Sequence, residues 1–486
     1  MITFNLRSGE LIIVDHDTPA GVESPLEAPL SYIHKSLVPN KSKPWIKDTV
    51  KERVPLTRNL PGQPCRTLVA YQGLLDRCIE FCAKKRIKYE VVDQRDPFPP
   101  PQMHLAKGFR GKQFSSFIQM LKHNRSGIGK FPTRWGKSTI LANLMRVFPG
   151  VPTVLAAPGV DLMNQIVAEL RIALPGRTIS SVFSGSKGLK GQCDDITVCS
   201  LDSLDKLNPE DVRLLLIDEP HAIAAPSRIL GMQAFRHARI IGVGATTTGR
   251  FDGADILVEG LIGPVLYEKT FREAVAEGAI CPIRVYVVTI PFDMWPCSDR
   301  DTAYRRLLYH NPEFNRLIEV ISSQIIPQDW QTLIFADQQK QIDLIKLCVE
   351  DGVTAIASRM GATERKEKFE AMKAGTIKRC IATNIYSTGV TFPDLRCVIN
   401  AAGGGGSITG TQKPGRLAQI RPGKKAGYLF DFQFVPKGWD DRDFKKYGPN
   451  DKWCSVVIDC QNRIRVYRET GFDVRTVTSL NQITID

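Results

Sequence analysis

The sequence predicts an α/β fold with two parallel-sheet domains in tandem, a small α+β N-terminal domain and a short C-terminal extension. Strand-like and helical segments alternate from Gly108, and a second alternating series starts near residue 330. Such alternation favours mostly parallel sheets with helices on both faces. The third observation is a phosphate-binding loop, FPTRWGKST at 131–139, which is followed by LLLIDEPH at 214–221. We expect domains at 1–107, 108–275 and 276–434, with the extension at 435–486.

The α+β domain is predicted from short strand-like runs that flank one helix. ITFNL, ELIIV and KYEVVD have the composition of strands, and GLLDRCIEFCAKKR has helical periodicity. The segment DPFPPPQM is typical of a stiff linker. The basic stretch NKSKPWIKDTVKERVPLTR predicts either a phosphate-tracking segment of a possible DNA-binding domain or a solvated loop, and both interpretations stay open.

The first parallel-sheet domain begins with a predicted amphipathic helix, GFRGKQFSSFIQMLKHN, which leads into the phosphate loop. STILANLMRVF is the predicted helix after the loop, and DLMNQIVAELRIAL is the next one. Five short β-rich runs, bounded by turn or helix signals, are the predicted strands TVLAAP, TISSVFSG, ITVCS, LLLID and RIIGVGAT.

The second parallel-sheet domain has five predicted strands, QTLIFA, VTAIAS, RCIAT, RCVINA and AGYLFDF. The segments QKQIDLIKLCVEDG and TERKEKFEAMKAGT are predicted helices within this series. Between the two series, residues 271–330 are mainly helical in pattern and include one extended run, IRVYVVTI.

The phosphate loop and the acidic motif together predict a site for ATP and Mg²⁺. Lys137 is expected at the β- and γ-phosphates, and the Ser138 hydroxyl at Mg²⁺. Asp218 ends an apolar strand, where a carboxylate meets Mg²⁺, and Glu219 is placed to polarise the attacking water. Backbone N–H groups of the loop are expected to cradle the phosphates, and the predicted loop contacts are Pro132, Thr133, Arg134, Trp135, Gly136, Lys137, Ser138 and Thr139.

The loop departs from the pattern GxxxxGK[ST] in two ways. Phe131 stands where the first glycine is usual. Arg134 and Trp135 occupy positions that are normally small, because the backbone approaches phosphate there. These departures leave room for a site that binds nucleotide without rapid turnover.

Composition narrows the class of protein. A chain of 486 residues predicts about three domains. A net charge of +14 indicates a polyanionic partner, with a basic surface kept for solubility as the alternative. The 12 cysteines form no CxxC or Cys/His cluster, which argues against disulfides and zinc. The sequence shows neither a signal peptide nor a long apolar run, so we expect a cytoplasmic protein without membrane contact, in the host cytoplasm if it is phage-encoded.

Read in order, the motifs resemble those of superfamily 2 helicases and translocases. That family has two RecA-like domains that bind ATP between them and nucleic acid across their tops. The resemblance implies that Arg110 and Gln113, in FRGKQ, contact adenine. It also implies nucleic-acid contacts in the first domain from AAPGVDLMNQ, CSLDSL and GATTTGR, at the residues Pro158, Gly159, Ser200 and Thr246.

In the second domain, LIFAD is similar to motif IV, CIATNIYSTGVTFPDL to motif V and QKPGRLAQIR to motif VI. The resemblance places Thr383 and Ser387 near the nucleic-acid backbone and Gly389 near the nucleotide. It gives Gln412 a role in orienting the lytic water. It also implies that Arg416 reaches the γ-phosphate from the opposing domain, which would couple hydrolysis to domain closure.

Motif VI carries one departure from the family pattern QxxGRxxR. Its last arginine is replaced by Gln419, and the next arginine is Arg421. The resemblance makes Arg421 a candidate catalytic arginine through a local shift of the loop. Without such a shift, the departure predicts slow turnover.

The domain order is more specifically similar to phage UvsW-type helicases. That similarity implies branched or forked DNA as the substrate and phage recombination or replication proteins as partners. Two alternatives remain open on the sequence. One is an RNA helicase with the same core, and the other is a nucleotide-gated nucleic-acid clamp with little turnover.

Overall fold

A computed structural model describes most of the chain. The described residues are 1–39, 47–182, 195–235, 237–246, 253–293, 300–348, 353–356, 361–383, 392–404, 413–438 and 455–485. They form two compact units, the first mainly from residues before Thr270 and the second mainly from Thr270 onward. The described residues contain no helix that is both long and apolar enough to cross a membrane.

The N-terminal part of the first unit has two small sheets and one helix. Its strands are β1 (Ile2–Arg7), β2 (Glu10–Pro19), β3 (Ser31–Pro39), β4 (Lys47–Pro55), β5 (Thr57–Asn59), β6 (Cys65–Tyr71) and β7 (Tyr89–Asp93). One sheet has the order β5-β6-β2-β1-β7, and β3 pairs with β4 in a separate two-stranded sheet. Helix α1 (Leu75–Lys85) is followed by Arg86, whose φ of 56° is left-handed, as is common after a helix.

The rest of the first unit is a parallel sheet with helices. Its strands are β8 (Gly127–Lys130), β9 (Thr153–Ala157), β10 (Ile179–Val182), β11 (Ile196–Ser200), β12 (Leu214–Asp218), β13 (Arg239–Gly244) and β14 (Val265–Glu268). They lie in the order β10-β11-β9-β12-β13-β8-β14, and every neighbouring pair is parallel. Its helices are α2 (Gln113–Leu121), α3 (Lys137–Val147), α4 (Val160–Ala173), α5 (Pro226–Ala234) and α6 (Asp255–Ile262).

The N-terminal sheet and the parallel sheet share one apolar core. Gly73 lies so close to α6 that a Cβ there would be 2.1 Å from the Glu259 carbonyl oxygen. Two ion pairs join the same surfaces: Arg77 Nη2 lies 2.6 Å from Glu259 Oε2, and Arg125 binds Asp76 through two bonds of 2.7 Å. The shared core and the close backbone contact explain why the two parts form one unit, and the partly exposed ion pairs add little to them.

The second unit holds another parallel sheet. Its strands are β15 (Ile283–Phe292), β16 (Gln331–Phe335), β17 (Val353–Ile356), β18 (Arg379–Ala382), β19 (Leu395–Asn400), β20 (Gly427–Pro436) and β21 (Asp473–Val477). The order is β17-β18-β16-β19-β20-β15-β21. The described helices are α7 (Phe271–Ala276), α8 (Arg300–Tyr304), α9 (Pro312–Val320), α10 (Gln339–Cys348), α11 (Ala362–Lys373) and α12 (Ser455–Thr470).

The predicted fold class is confirmed, and the structure adds several elements. The helix expected from Gly108 begins only at Gln113, because Gly108 and Gly111 have φ values of 77° and 50°. The short strands β8 and β14 were not predicted, and the basic stretch includes β4 instead of being only a loop. IRVYVVTI lies inside the second sheet as β15, between β20 and β21. Helix α12 and strand β21, from the predicted C-terminal extension, belong to the same unit; the domain boundaries stay predictions.

Candidate nucleotide site and nucleic-acid edge

The predicted site residues of the first unit gather at one edge of its parallel sheet. The phosphate loop follows β8, Asp218 ends β12, and Ser200 ends β11. Pro158 and Gly159 follow β9, and Thr246 follows β13. Because all these strands are parallel, their carboxyl ends meet at the same edge, which is where ligands bind in open α/β sheets.

The phosphate loop is tightly constrained where α3 begins. Gly136 precedes the helix with a φ of 113°, a conformation that strongly favours glycine. A Cβ at this position would lie 2.4 Å from the Gln113 side-chain nitrogen. Arg134 also has a positive φ, of 69°. The loop from Pro132 to Gly136 therefore depends on backbone conformations that few residues adopt.

Phe131, the first departure from the loop pattern, is a core residue. Its side chain is fully buried, and its ring centre lies 5.9 Å from that of Tyr267. Its backbone N–H donates to the Gly244 carbonyl at 2.8 Å. A Cβ at Gly129 would lie 2.7 Å from the Phe131 ring, so the glycine before the loop makes room for the aromatic side chain. Trp135 is buried as well.

Gln113 connects the start of α2 to the phosphate loop. Its side-chain oxygen accepts a hydrogen bond from the Arg110 backbone N–H at 2.8 Å, and its amide nitrogen lies against Gly136. Gln113 is buried, whereas Arg110 is exposed. The contact of both side chains with adenine stays a prediction. What the structure shows is that the predicted adenine-binding segment and the phosphate loop are in direct contact.

Lys137 and Glu219 are brought together by the fold. Lys137 begins α3, and its Nζ forms an ion pair and hydrogen bond with Glu219 Oε1. Glu219 follows β12 with a left-handed φ of 56°, and its own N–H donates to the Val243 carbonyl at 3.1 Å. His221 Nδ1 lies 3.5 Å from Glu219 Oε2. The helix start and the strand end thus present opposite charges to each other.

Burial and charge act differently on the two neighbouring carboxylates. Burial raises the pKa of Asp218 to about 6, against the opposing charge of Lys137. Burial also tends to raise the pKa of Glu219, but the charge and hydrogen bond of Lys137 outweigh it and hold that pKa below its usual value. Lys137 therefore keeps Glu219 ionised next to a buried second carboxylate.

Three residues support this edge in ways that the sequence analysis did not predict. Gly244 is required because a Cβ there would lie 2.5 Å from Pro220 Cδ. His221 was seen only as part of the motif, not as a neighbour of the Glu219 carboxylate. The fully buried Asn143 side chain donates to the carbonyls of Thr139 and Lys107, at 2.8 and 3.0 Å. A polar residue inside an apolar helix was the one available signal for Asn143.

The predicted nucleic-acid contacts have different environments. Gly159 is exposed with a φ of 86°, and a Cβ there would meet nothing within 4 Å. Pro158, Thr246 and Thr383 are half-buried, and Thr383 follows β18 of the second sheet. Ser200 is buried, and its hydroxyl donates to the Ser203 hydroxyl at 2.8 Å. To donate a hydrogen bond to a ligand, the Ser200 hydroxyl would have to give up its bond to Ser203.

The two candidate arginines of the second unit differ in exposure and partners. Arg416 is 4% exposed, and burial lowers its pKa to about 9. The Arg421 side chain is 40% exposed, and its Nε donates to the Pro393 carbonyl at 3.1 Å and lies 3.5 Å from Asp394 Oδ1. Gln412, Gly389 and Ser387 lie outside the described residues, so their predicted roles have no structural counterpart here.

The residues at the edge of the first sheet fit a magnesium nucleotide. Gly136 leaves no room for a side chain at the start of α3, and Ser138, one residue into that helix, is exposed. A lysine ammonium next to two carboxylates supplies the donor for phosphate and the oxygen ligands for Mg²⁺. Lys137 is already close enough to Asp218 to influence its pKa. These residues would hold ATP and Mg²⁺ together at one edge.

Two family models match the chain. One, described as Type III restriction enzyme, res subunit, matches residues 95–249, which include the phosphate loop and the acidic pair. The other, described as Helicase conserved C-terminal domain, matches residues 313–421, which include both candidate arginines.

Curated relatives are distant in sequence. "Putative helicase 22" of a Sulfolobus islandicus filamentous virus is 25% identical over 67% of this chain and 63% of its own length. "DNA 3'-5' translocase XPB2" of Sulfurisphaera tokodaii is 24% identical over 74% of this chain and 89% of its own length. A pre-mRNA-splicing ATP-dependent RNA helicase of Cryptococcus neoformans is 23% identical over 48% of this chain and 29% of its own length. The chain spans only 43% of two bacterial "DNA 3'-5' helicase XPB" proteins that also match.

Solved structures support the fold. A fragment of a putative HsdR subunit of a type I restriction enzyme from Vibrio vulnificus has a TM-score of 0.54 at 14% identity, covering 83% of this chain and 87% of that one. The crystal structure of T4 UvsW covers 98% of this chain and 99% of its own at 15% identity. Its TM-score is 0.40.

Proposed function

The chain belongs to superfamily 2 of the helicases, and from this premise we propose that it is an ATP-dependent DNA helicase or translocase. Its proposed substrates are forked and recombination-intermediate DNA, which it would unwind or branch-migrate. The domain order, which is similar to that of phage UvsW-type helicases, supports this choice. Phage recombination or replication proteins are the partners we expect.

The observation that carries the proposal is the ion pair between Lys137 and Glu219 at the carboxyl edge of the first sheet. It joins the phosphate loop to the acidic motif, although the two are distant in sequence. For Lys137 to bind phosphate, its ammonium leaves the carboxylate. Glu219 is then free to accept a proton from the attacking water.

The other residues take roles that follow from their chemistry. Ser138 and Asp218 hold Mg²⁺, which when bound neutralises charge on the β- and γ-phosphates. Gln412 orients the water together with Glu219. Arg416 supplies positive charge to the transferring phosphoryl group, with Arg421 as the second candidate for that role.

DNA is the favoured nucleic acid. The net charge of +14 suits a polyanion, and contacts dominated by phosphate give strong salt dependence with little base specificity. Relatives that are named DNA helicases or translocases support DNA. Positions on the sheet edge such as Gly159 leave space for a backbone without reading bases.

Two other functions have an observation in their favour. An RNA helicase is the alternative supported by the match to a splicing RNA helicase. A nucleotide-gated clamp is supported by Gln419 in place of the last motif VI arginine, and by Arg421 being held at Pro393 and Asp394. Lys137, Ser138, Asp218, Glu219 and Arg416 all stand against the clamp, because a site without turnover has no chemical need for the full set.

Steady-state ATP hydrolysis tests the proposal. Wild type and Lys137→Ala are compared without nucleic acid and with single-stranded DNA, duplex DNA, a four-way DNA junction and matched RNA. We expect junction DNA to stimulate hydrolysis and Lys137→Ala to abolish it. Stronger stimulation by RNA would establish the RNA helicase instead. ATP binding without stimulation by any nucleic acid would make the clamp the better account.

A further inference from the structure

A buried ion pair joins the second sheet to helix α12. Arg463 Nε lies 2.8 Å from Asp431 Oδ2 and Arg463 Nη2 lies 2.9 Å from Oδ1, a bidentate arrangement. Both side chains are at most 5% exposed. The Tyr467 hydroxyl and the Phe432 N–H each donate to Asp431 at 2.7 Å. Asp431 lies within β20, so the pair fixes α12 against the middle of the sheet.

The same carboxylate is connected to motif VI. The Asn400 side-chain nitrogen donates to Asp431 Oδ1 at 3.3 Å. The Asn400 side-chain oxygen accepts from Lys413 Nζ at 3.2 Å. Lys413 is buried, and its ammonium also lies 5.0 Å from the centre of the Phe335 ring. Arg416 follows Lys413 by three residues in the same motif.

Arg463 holds a second point of the chain near motif VI. Its Nη1 donates to the Gly404 carbonyl, and the Gly404 N–H donates to the Tyr304 hydroxyl at 3.2 Å. The Tyr304 hydroxyl donates to Asp459 of α12 at 2.5 Å. Gly404 and Lys413 stand on the two sides of residues 405–412. Arg463 binds the Gly404 carbonyl directly, whereas Lys413 is connected to Arg463 through Asn400 and Asp431.

Stability alone does not account for a charged network at this place. Removing two charges from water costs about as much as their attraction returns, and an apolar pair of similar volume is often as stable. A bidentate pair does, however, restrict geometry strongly, because both guanidinium nitrogens need their oxygens. The ion pair therefore contributes more to the fixed geometry of the surrounding residues than to the stability of the fold.

We infer that Asp431 and Arg463 are positioning residues for ATP hydrolysis, which they serve by holding Lys413 and, through it, the backbone that carries Arg416. This inference rests on the proposed function. A charge that stabilises a phosphoryl group acts only when its position is accurate to about 0.5 Å. Loss of the network should thus lower kcat more than it changes the KM for ATP, because the residues that bind the nucleotide in the first unit are untouched.

Two variants of the full-length chain test the inference. Asn400→Ala breaks the connection between Lys413 and Asp431 and leaves the ion pair in place. Asp431→Asn combined with Arg463→Met removes both charges together, so neither is left buried alone. Arg465→Met is the matched control, because Arg465 lies on the same helix with 67% of its side chain exposed and forms a long ion pair of 3.9 Å with Glu469.

The readouts are kcat and KM for ATP with junction DNA, together with the thermal midpoint. We expect a ten- to hundredfold lower kcat in both test variants, with KM within about threefold of wild type, and no change in the control. The inference is overturned if a test variant with a wild-type midpoint keeps its kcat, or if kcat falls only as far as the folded fraction does. Wild type without any stimulated turnover would overturn the proposed function, and this inference with it. Stimulated turnover in wild type that the test variants retain would overturn this inference alone.

Discussion

Lys137 and Glu219 form an ion pair at the carboxyl edge of the first parallel sheet, with side chains that are 16% and 18% exposed. The pair joins the first residue of α3 to the residue that follows β12. The proposed phosphate ligand and the proposed residue that polarises water are therefore each other's partner in this structure. Substitution of either residue should therefore leave the charged group of the other without this ion-pair partner.

Lys137→Ala should abolish ATP turnover and keep nucleic-acid binding largely intact. The lysine serves phosphate, whereas the predicted nucleic-acid contacts of the first unit lie on other loops of the same edge. Hydrolysis assays and fluorescence anisotropy with labelled junction DNA measure the two properties separately. A comparable loss of DNA binding in a variant with a wild-type circular dichroism spectrum would contradict this division of roles.

Glu219→Gln should bind magnesium ATP at least as tightly as wild type but hydrolyse it about 10²–10⁴ times more slowly. The neutral amide releases the Lys137 ammonium for phosphate and cannot act as a base. Titration calorimetry gives the Kd and a single-turnover assay gives the rate. Weaker ATP binding by tenfold or more would show that the carboxylate holds the nucleotide instead.

Gly136→Ala should remove nucleotide binding. The substitution combines a φ of 113° with a Cβ 2.4 Å from the Gln113 side chain, so both the loop and its neighbour must shift. Gly150→Ala is the control, because Gly150 has a φ of 71° and open space around its Cβ position. The control should lose a little thermal stability and bind ATP normally. Equal ATP binding by both variants would mean that the contact with Gln113 is unimportant.

Arg416→Ala should lower kcat about 10³-fold or more if this arginine stabilises the transferring phosphoryl group. Arg421→Ala should have a smaller effect, because the Arg421 guanidinium is held by the Pro393 carbonyl and lies 3.5 Å from Asp394. Asp394→Asn weakens that attachment and is the matched comparison. An equal drop in kcat for the two arginine variants would establish Arg421 as the displaced catalytic arginine.

Lys413 should make stability depend on pH in the alkaline range. Burial and the charge of Arg463 lower the pKa of Lys413 from 10.5 to about 8, against the opposing effect of Asp431 and Asp337. Between these two values the unfolded chain binds more protons at this residue than the folded chain does. The contribution of Lys413 to stability therefore becomes less unfavourable as pH rises from about 8 towards 10.5, and its penalty is fully present below pH 8.

Denaturant unfolding of wild type and Lys413→Met at several pH values from 7 to 10.5 measures this effect. Other lysines, tyrosines and cysteines also titrate in this range, so the difference between the two proteins is the relevant quantity. That difference should shift in favour of wild type as pH rises. A difference that stays constant over the range would mean that Lys413 titrates normally.

The sequence by itself determined the fold class, the superfamily and the placement of the nucleotide motifs. Apolar strands such as LLLID are detectable because a parallel strand buried on both faces needs a continuous apolar run. The phosphate loop is detectable because its glycine and lysine serve local chemistry within a few residues. The resemblance to superfamily 2 helicases rested on such local motifs, and it is confirmed.

Only the tertiary structure decided which distant residues meet. The contact of Gln113 with Gly136, the ion pair of Lys137 with Glu219 and the network from Arg463 to Lys413 all depend on how strands and helices pack. In the sequence, Phe131 is a departure from the pattern of the phosphate loop. In the structure, its ring belongs to the core and lies beside Gly129. Within the predicted C-terminal extension, β21 pairs with β15 of the second sheet, a contact that no local pattern indicates. Local patterns are written in neighbouring residues, whereas these contacts arise from the packing of elements far apart in the chain.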